Sequence, residues 1–464
     1  MAARKPMGAR TTLSKPGRTR RGEGADKKRL SIISGAAQPG VPVITVLGLW
    51  HLGCVTAACC AKYFQVAGLD FDRNVIAELN SGKAPLMEPG LDELIAAGIA
   101  SKKLSFETNP KTACANADVL WVCYDTPVND DDESDTEFVL ANLRKALKEL
   151  PESALVLISS QLPVGTCANL EKQFPRIAFA YSPENLRLGK AIDSFERADR
   201  VIIGVRDNAK KEVLQRLFAP FTSQILFMRT ESAEMVKHAL NSFLALSITF
   251  INEIARLCEH VGADAKDVAA GLKSEPRIGA RAYLGPGGPF AGGTLARDVV
   301  SLTRLGEANG ERLSVIPAIK QSNDLHRGWA FKRLRSSLGG LRGRKIAILG
   351  LTYTTNTNTL RRSAAVELCK RLIGAGAQVR AYDPAIQRLP QGMESVWLGG
   401  SVSEVLEAAD AAAVCTEWPQ FREVDWLKIV PQMRTKIFVD ANRFLENELK
   451  KIQGVKLLSV GRYQ

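Results

Sequence analysis

The sequence predicts an α/β protein with two doubly wound parallel sheets, and two observations carry that prediction. A strand, a glycine turn, a helix and a second strand ending in an acid follow one another over residues 44–70, and a similar order returns over residues 345–383. Between them, residues 231–260 form one long apolar stretch with helical periodicity. Short β-rich runs that alternate with helical patterns are typical of parallel sheets. We therefore expect two Rossmann-like domains joined by a long central helix and a helical dimerisation region.

The first unit has the features of a dinucleotide-binding turn. Gly48 ends an apolar run, Gly53 follows, and Asp70 lies twenty-two residues after Gly48. Glycines let backbone N–H groups and a helix N-terminus approach a pyrophosphate, and an acid ending the second strand accepts hydrogen bonds from a ribose, which favours NAD over NADP. Trp50 replaces the middle glycine of G-x-G-x-x-G, so the turn alone is equally consistent with an ordinary βαβ unit. The candidate cofactor residues here are Gly48, Trp50, Leu52, Gly53 and Asp70.

Two polar junctions follow predicted strands of the same sheet. One is the segment 124–127, which contains Thr126 and Pro127, and the other is the segment 159–166, which contains Gln161. Ligands of doubly wound sheets bind at the carboxyl ends of strands, so these three residues are further candidates for cofactor binding. The strands predicted for this sheet are 43–48, 65–70, 118–123, 154–159, 176–180 and 200–204.

The middle of the chain is predicted to be helical. The stretch from Glu231 to His260 is apolar around most of a helical wheel, which predicts a helix buried on nearly all sides, at the junction of the domains and in a dimer interface. More helix is predicted from Leu295 to about residue 338. The second βαβ unit lacks G-x-G-x-x-G, which predicts a different ligand there. Its strands are expected at 345–350, 378–383, 411–415 and 436–440.

Composition indicates an ordinary globular protein. The 464 residues are 45% apolar and 24% charged, which suits two or three domains. No apolar run reaches the roughly 18–20 residues that span a bilayer, so we expect no membrane insertion. Nine cysteines without a C-x-x-C pair are expected to be reduced, buried thiols of a cytoplasmic protein. Four histidines without clustering argue against a structural metal site.

The net charge of +13 is unevenly distributed. Residues 1–40 contain ten lysines and arginines and two acids, so +8 of the charge lies in this segment and about +5 in the rest. The segment is poor in hydrophobic residues, which predicts a disordered basic tail. A basic surface often indicates nucleic-acid binding. Because the excess is confined mostly to the tail, no specific nucleic-acid partner is expected.

Taken in order, several separated motifs resemble the UDP-glucose/GDP-mannose dehydrogenase family, and the resemblance covers nearly all of residues 42–464. Any one of the motifs is weak, whereas the ordered set is specific. The motifs are Gly48–Gly53 with Asp70, Glu88–Leu91, Thr126–Pro127, Pro163–Thr166, Ser182–Arg187, Lys237 with Asn241, Phe290–Asp298, Gly350–Tyr353 with Arg361 and Ser363, Tyr382–Pro384 and Thr416–Trp418.

The resemblance implies the domain organisation and the reaction. Residues 1–41 are then the tail, 42–206 an NAD-binding domain, 207–335 a central helical domain that forms a homodimer, and 336–464 a domain that binds the nucleotide of a UDP-sugar. Members of the family oxidise a sugar CH₂OH group to a carboxylate in two NAD-dependent steps. A cysteine attacks the intermediate aldehyde, and the resulting thioester is finally hydrolysed.

The resemblance also implies catalytic residues. Glu184 matches the glutamate of the family's Pro-Glu motif, while Lys237 and Asn241 match a lysine and an asparagine four residues apart, on one face of a helix. Asp298 matches the aspartate four residues beyond the family's nucleophile. The alternatives are a surface lysine with a capping asparagine, and a salt bridge at a helix end. A lysine buried in an apolar helix is costly unless it is paired or functional, which favours the catalytic interpretation.

Substrate-binding residues follow from the same matches. Arg277 lies near the arginine that the family lends across a subunit interface, with a register uncertain by about one residue. The residues that the resemblance assigns to substrate are Arg187, Arg277, Phe290, Gly292, Gly293, Tyr353 and Arg361.

Several departures from the family pattern concern the second oxidation. Thr294 stands at the nucleophile position, and a threonine hydroxyl is a poor nucleophile unless a base is arranged for it. Gln161 replaces a threonine, and Leu188 replaces the second glutamate. Arg297 replaces the lysine before Asp298. In the C-terminal loop, Thr354 replaces a lysine.

These departures leave three hypotheses for function. The first is an NAD-dependent nucleotide-sugar dehydrogenase that acts in polysaccharide precursor synthesis and stops after one two-electron step or acts on a different sugar carbon. The second is a catalytically silent nucleotide-sugar-binding protein, favoured by Trp50 and Thr294. The third, a β-hydroxyacid dehydrogenase, is disfavoured by the second Rossmann-like unit. Cys123 and Cys167 lie near predicted active-site loops, but are better interpreted as small buried hydrophobic residues.

Overall fold

The computed structural model describes residues 41–129, 132–291 and 293–463. The predicted tail therefore lies outside the described residues, except for Val41. From Pro42 onwards the chain forms one compact unit that contains two sheets and a set of helices between them. No helix in the described ranges is long and apolar enough to cross a membrane.

The first sheet has eight strands in the order β3-β2-β1-β4-β5-β6-β7-β8. All neighbours are parallel except β6 and β7, which are antiparallel, so the sheet is mixed at one edge rather than wholly parallel as predicted. The elements are β1 Val43–Leu47, α1 His51–Cys60, β2 Gln65–Leu69, α2 Arg73–Asn80, α3 Leu91–Ala100, β3 Leu104–Glu107, α4 Pro110–Cys114, β4 Val119–Val122, α5 Thr136–Leu147, β5 Leu155–Ile158, α6 Thr166–Gln173, β6 Ala178–Tyr181, α7 Ala191–Glu196, β7 Val201–Val205, α8 Lys211–Phe218 and β8 Ile225–Met228.

Hydrophobic side chains cover both faces of this sheet. One cluster packs α1 against β1 and includes Ile44, Val46 and Val55, and the other lies beneath β4 and β5. The strands β1, β4 and β5 are almost wholly buried, which explains their continuous apolar sequences. The sheet extends to Met228 and so continues past residue 206, the end predicted for this domain.

The central region consists of five helices. The predicted long helix is present as α9, Thr230–Val261, and the single helical stretch predicted after residue 295 is divided at two turns into three helices. The remaining helices are α10 Ala265–Ser274, α11 Thr294–Ala308, α12 Val315–His326 and α13 Trp329–Ser337.

The prediction that α9 is buried on nearly all sides is wrong for the single chain. Phe243, Phe250 and Leu257 recur every seven residues and are 65%, 46% and 61% exposed. The helix buries its other face, including Lys237 and Asn241, against the first sheet and α11. The helix therefore has a second apolar face, which stays exposed in the part of the chain that the structure describes.

The second sheet has six strands, all parallel, in the order β11-β10-β9-β12-β13-β14. It is attached to the central helices by polar contacts. Arg443 pairs with Asp264 at 2.7 Å, and Gly461 N–H donates to Glu259 Oε1 at 3.0 Å. Its elements are β9 Lys345–Leu349, α14 Ala364–Gly374, β10 Gln378–Tyr382, β11 Val396–Leu398, α15 Val402–Leu406, β12 Ala411–Val414, α16 Trp426–Ile429, β13 Ile437–Asp440, α17 Glu446–Leu449 and β14 Lys456–Leu458.

Candidate functional site

The turn between β1 and α1 requires two of its glycines. Gly48 has φ +93°, and a Cβ atom there would lie 2.6 Å from the ring of Tyr124. A Cβ atom on Gly53 would lie 1.8 Å from the carbonyl oxygen of Gly48. No side chain fits at either position, so the strand, the turn and the helix pack as closely as a dinucleotide-binding turn demands.

Asp70 lies just beyond the carboxyl end of β2, beside the turn. Its Oδ2 accepts from Leu49 N–H at 2.7 Å and its Oδ1 accepts from Asp72 N–H at 3.0 Å. A carboxylate has about four acceptor positions, so two remain for ribose hydroxyls. The two required glycines and this acid fit the adenosine half of NAD.

The other predicted cofactor residues lie in the same turn and in the segments after β4 and β5. Trp50 is the residue before α1 and is 42% exposed, so its indole stands at the mouth of the turn. Leu52 is buried in the first turn of α1, and its N–H faces the Asp125 carboxylate. Thr126 is buried after β4 and donates its hydroxyl to Gln161 O at 2.8 Å, while Pro127 is half-buried beside it. The predicted cofactor residues thus surround one cleft at the carboxyl ends of β1, β2 and β4.

Lys237 and Glu184 form a buried ion pair. Lys237 Nζ donates to Glu184 Oε1 at 2.8 Å and to the Glu184 carbonyl oxygen at 2.6 Å, and the lysine is 4% exposed. Burial by itself raises the pKa of Glu184, but the Lys237 ammonium and the Leu186 N–H outweigh it and hold that pKa below its ordinary value. The alternative of a surface lysine is excluded by this burial.

Asp298 is the centre of a second buried cluster. Its side chain is fully buried, and its Oδ1 accepts from the Gln161 amide and contacts His238 Nδ1 at 2.6 Å. Its Oδ2 accepts from the Asn241 amide. Asp298, Gln161, His238 and Asn241 together form what we call the Asp298 cluster. Sequence analysis placed Lys237 and Asn241 together, but the structure pairs each with a different carboxylate.

His238 contacts an acceptor with each ring nitrogen. Nδ1 faces Asp298, and Nε2 faces the Leu162 carbonyl oxygen at 3.2 Å. A carbonyl oxygen can only accept, so Nε2 is the donor in that contact. The two contacts fix the orientation of the imidazole ring between Asp298 and Leu162. His238 was not among the site residues predicted from the sequence. Its position next to Lys237 in an apolar helix could have indicated it.

Arg297 connects the Asp298 cluster to the segment after β4. Its guanidinium donates to the Thr126 carbonyl oxygen at 3.0 Å and to the Gln161 side-chain oxygen. Burial lowers the pKa of Arg297, whereas Asp298 and Glu184 act in the opposite direction. The Gln161 amide thus bridges Arg297 and Asp298, a bridge that a threonine at position 161 is too short to make in the same way.

Thr294 is the first residue of α11 and is exposed. Among the described residues no base contacts its hydroxyl, while the preceding Gly293 N–H donates to Asp132 Oδ1 at 2.9 Å. Cys123 and Cys167 are fully buried, and burial raises the pKa of both thiols. Their interpretation as buried small residues is consistent with this placement.

The predicted substrate residues are divided between two places. Phe290 and Tyr353 line one cavity of about 430 Å³ together with Tyr283 and Asn442. Gly293 lies beside that cavity at the start of α11, and Gly292 is outside the described residues. Asn442 Oδ1 accepts from Gly288 N–H at 2.7 Å and so fixes the glycine-rich wall. Aromatic rings and backbone amides suit a nucleotide base and ribose.

The predicted arginines lie on the surface. Arg187 and Arg361 are exposed near the ends of the two sheets. The Arg277 side chain is 88% exposed and pairs with Glu275 at 2.9 Å, so within one chain it does not reach the Asp298 cluster.

Comparisons with known proteins agree with this geometry. Sequence profiles of the UDP-glucose/GDP-mannose dehydrogenase family match residues 43–222 as the NAD-binding domain, 231–325 as the central domain and 347–447 as the UDP-binding domain. A UDP-glucose 6-dehydrogenase of Rhizobium meliloti is 34% identical over 90% of this chain and 99% of its own length. The corresponding enzyme of Pseudomonas aeruginosa is 34% identical over 86% of this chain and 92% of its own length.

A solved structure has the same architecture throughout. The UDP-glucose dehydrogenase of Pyrobaculum islandicum superposes with a TM-score of 0.83 at 30% identity, covering 93% of this chain and all of that one. The fold, the cofactor turn and the buried Lys237–Glu184 pair define an NAD-dependent oxidoreductase that acts on CH–OH groups. The chain belongs to the UDP-glucose/GDP-mannose dehydrogenase family, and its substrate is a nucleotide sugar.

Proposed function

We propose that the protein removes one pair of electrons from a UDP-sugar and releases a carbonyl product. The UDP-glucose dehydrogenases that it resembles suggest the nucleotide, and the Asp298 cluster together with Thr294 suggests where the reaction ends. NAD supplies the hydride acceptor when it is bound.

Lys237 and Glu184 provide the groups for the first oxidation. An ammonium has three N–H donors, and two of those on Lys237 are used by Glu184, so one remains to hold the sugar hydroxyl oxygen. As a hydride leaves the sugar carbon, the hydroxyl proton passes to the Glu184 carboxylate. The lowered pKa of Glu184 keeps this carboxylate ionised and able to accept a proton at neutral pH.

The second oxidation lacks its covalent step. Conversion of an aldehyde to an acid through a thioester needs a thiolate, and position 294 offers an exposed hydroxyl without a contacting base among the described residues. Hydrolysis also needs a positioned water. Asp298 is fully buried, and Gln161, His238 and Asn241 take three of its about four acceptor positions, so it offers a water at most one hydrogen bond.

The stoichiometry of NADH formation tests this proposal. We expect one NADH per UDP-sugar consumed, and a product two mass units lighter than the substrate that reacts with a hydroxylamine trap. Two NADH per sugar with a uronate product would overturn the single-step reaction. If no UDP-sugar produced NADH but one of them still bound, the result would instead favour a silent nucleotide-sugar-binding protein. The Asp125 carboxylate also favours this second function, because it faces the Leu52 N–H in the cofactor turn.

We also propose that the protein is a homodimer formed through the exposed face of α9. The stripe of Phe243, Phe250 and Leu257 is the unpartnered apolar face described above. We expect Phe250→Glu to shift the mass measured by light scattering from dimer to monomer. The matched change Phe138→Glu, at another exposed phenylalanine on α5, should leave the dimer intact. A monomeric wild-type protein would contradict this interface.

We place the protein in the cytoplasm, in the synthesis of polysaccharide precursors. All nine cysteines are free in the structure, as expected where thiols stay reduced. Cell fractionation tests the location, and loss of a surface polysaccharide on deletion of the gene tests the role.

A further inference from the structure

The loop after β4 directs a carboxylate at the cofactor turn. Asp125 lies three residues beyond the end of β4, and its Oδ2 accepts from Leu52 N–H at 3.4 Å. Leu52 belongs to the first turn of α1, the helix that follows Gly48. The residue as a whole is exposed, but its carboxyl is surrounded by the walls of the cleft.

This position matters because of what a dinucleotide-binding turn does. The free N–H groups in the first turn of α1 and the positive end of its dipole attract the cofactor's pyrophosphate. A carboxylate bonded to one of those N–H groups uses the same donor and brings a second negative charge to the same place. Two like charges so close together repel strongly, because the walls of the cleft screen them less than bulk water does.

The surroundings of Asp125 act on its pKa in both directions, and the pKa is raised overall. The walls of the cleft desolvate the carboxyl and raise its pKa, and the nearby Glu184 carboxylate raises it further. His51, the Leu52 N–H and Arg297 lower it, but His51 is hydrogen-bonded to Glu88 and Arg297 to Thr126 and Gln161. Three charged or titratable side chains therefore act on Asp125: His51 of α1, Glu184 in the segment after β6, and Arg297 of α11.

Trp50 is the residue immediately before α1, where the motif has the glycine that normally allows the pyrophosphate to approach the backbone. The approach is therefore restricted by bulk at residue 50 and by charge at residue 125.

We infer that Asp125 sets the affinity for NAD by competing with the pyrophosphate for the amino end of α1, so that cofactor binding requires this carboxyl to take up a proton. The Leu52 N–H has a different acceptor in the free protein and in the complex. In the free protein the Asp125 carboxylate accepts from Leu52, and in the complex the protonated carboxyl leaves that donor to the pyrophosphate. The inference concerns binding of the cofactor alone and holds whether the protein removes two or four electrons from its substrate.

Linkage gives the sign of the effect. Binding an anion raises the pKa of Asp125 further, so the bound state carries more protons than the free state. The affinity for NAD therefore falls as the pH rises above the pKa of the free carboxyl, by up to about tenfold per pH unit. Below that pKa the affinity levels off.

Calorimetric titration of the full chain with NAD⁺ tests the inference. We expect wild-type protein to take up close to one proton per NAD⁺ bound, measured in buffers of different ionisation enthalpy between about pH 6 and about pH 8. Asp125→Asn should bind NAD⁺ roughly tenfold more tightly at about pH 8, with little proton uptake. Glu137→Gln removes one acid from the exposed surface of α5 and should behave as wild type.

Two further measurements separate Asp125 from its neighbours. His51→Gln should retain the proton uptake if Asp125 is its source. ADP-ribose, which has the pyrophosphate but no nicotinamide, should show the same uptake as NAD⁺, because Glu184 would respond to the nicotinamide end. Unchanged affinity and unchanged uptake in a folded Asp125→Asn protein would overturn the inference, and so would pH-independent binding by the wild-type protein. Thermal unfolding and UDP-sugar binding establish that the variant is folded.

Discussion

Replacement of Lys237 by methionine is expected to lower kcat by about a thousandfold. Methionine fills a similar volume but removes the only N–H donor that we assign to the sugar oxygen, and loss of a single donor or proton-transfer group costs about 10²–10⁴ in rate. The variant also leaves Glu184 buried without its ammonium partner. Burial is then opposed only by the smaller effects of the Leu186 N–H and Arg297, so the pKa of Glu184 should rise. Steady-state NADH formation with the best UDP-sugar measures the loss.

A double variant distinguishes catalysis from stability. Lys237→Met/Glu184→Gln removes both charges, so it should recover much of the thermal stability that the single variant loses while remaining inactive. Lys332→Met, on the exposed surface of α13, should keep the wild-type rate. Substantial activity in Lys237→Met would contradict the role assigned to Lys237.

The main features of the fold follow from local sequence patterns. The strand, glycine turn and helix around Gly48 depend on neighbouring residues, and so does the repeat of this arrangement at residues 345–383. The strands absent from the prediction are β3, β8, β11 and β14, each at or near the edge of a sheet. β3 and β14 contain polar residues, while β8 and β11 are apolar but only four and three residues long, so periodicity identifies these edge strands poorly.

Lys237, Asn241 and Asp298 could be selected from the sequence as candidates, but their hydrogen-bond partners could not. The four-residue spacing of Lys237 and Asn241 places them on one helix face, and only the tertiary structure directs one to Glu184 and the other to Asp298. His238 lies next to Lys237 in the sequence, yet its contacts come from segments 60 and 76 residues away. The same limit applies to Asp125, whose importance depends on its distance from Leu52 in a different βα unit.

The exposed stripe on α9 shows another limit of sequence patterns. Periodicity reports that Phe243, Phe250 and Leu257 are apolar, but it does not report which molecule covers them. Burial within the chain and burial between two chains produce the same pattern. The structure separates the two cases for this helix, since its polar residues Lys237 and Asn241 are buried while these three apolar residues are exposed.

Substitution of Asp298 is expected to have the largest effect on stability. Asp298→Ala removes the acceptor shared by Gln161, His238 and Asn241, and leaves polar groups of three buried side chains without this partner. An unpaired buried polar group costs about 1–3 kcal/mol, so we expect a total loss of about 3–5 kcal/mol. The free energy of unfolding from urea titration, monitored by tryptophan fluorescence, measures this loss.

The partner substitution shows whether the loss comes from this pair. His238→Gln keeps an N–H donor near Asp298 and leaves the Gln161 and Asn241 contacts in place, so it should cost less than Asp298→Ala. Because the two side chains share one contact, the double variant Asp298→Ala/His238→Gln should be more stable than the sum of the single effects predicts, by about 1–3 kcal/mol. Strict additivity would show that Asp298 and His238 are not coupled. The stability lost in Asp298→Ala would then come from the Gln161 and Asn241 contacts.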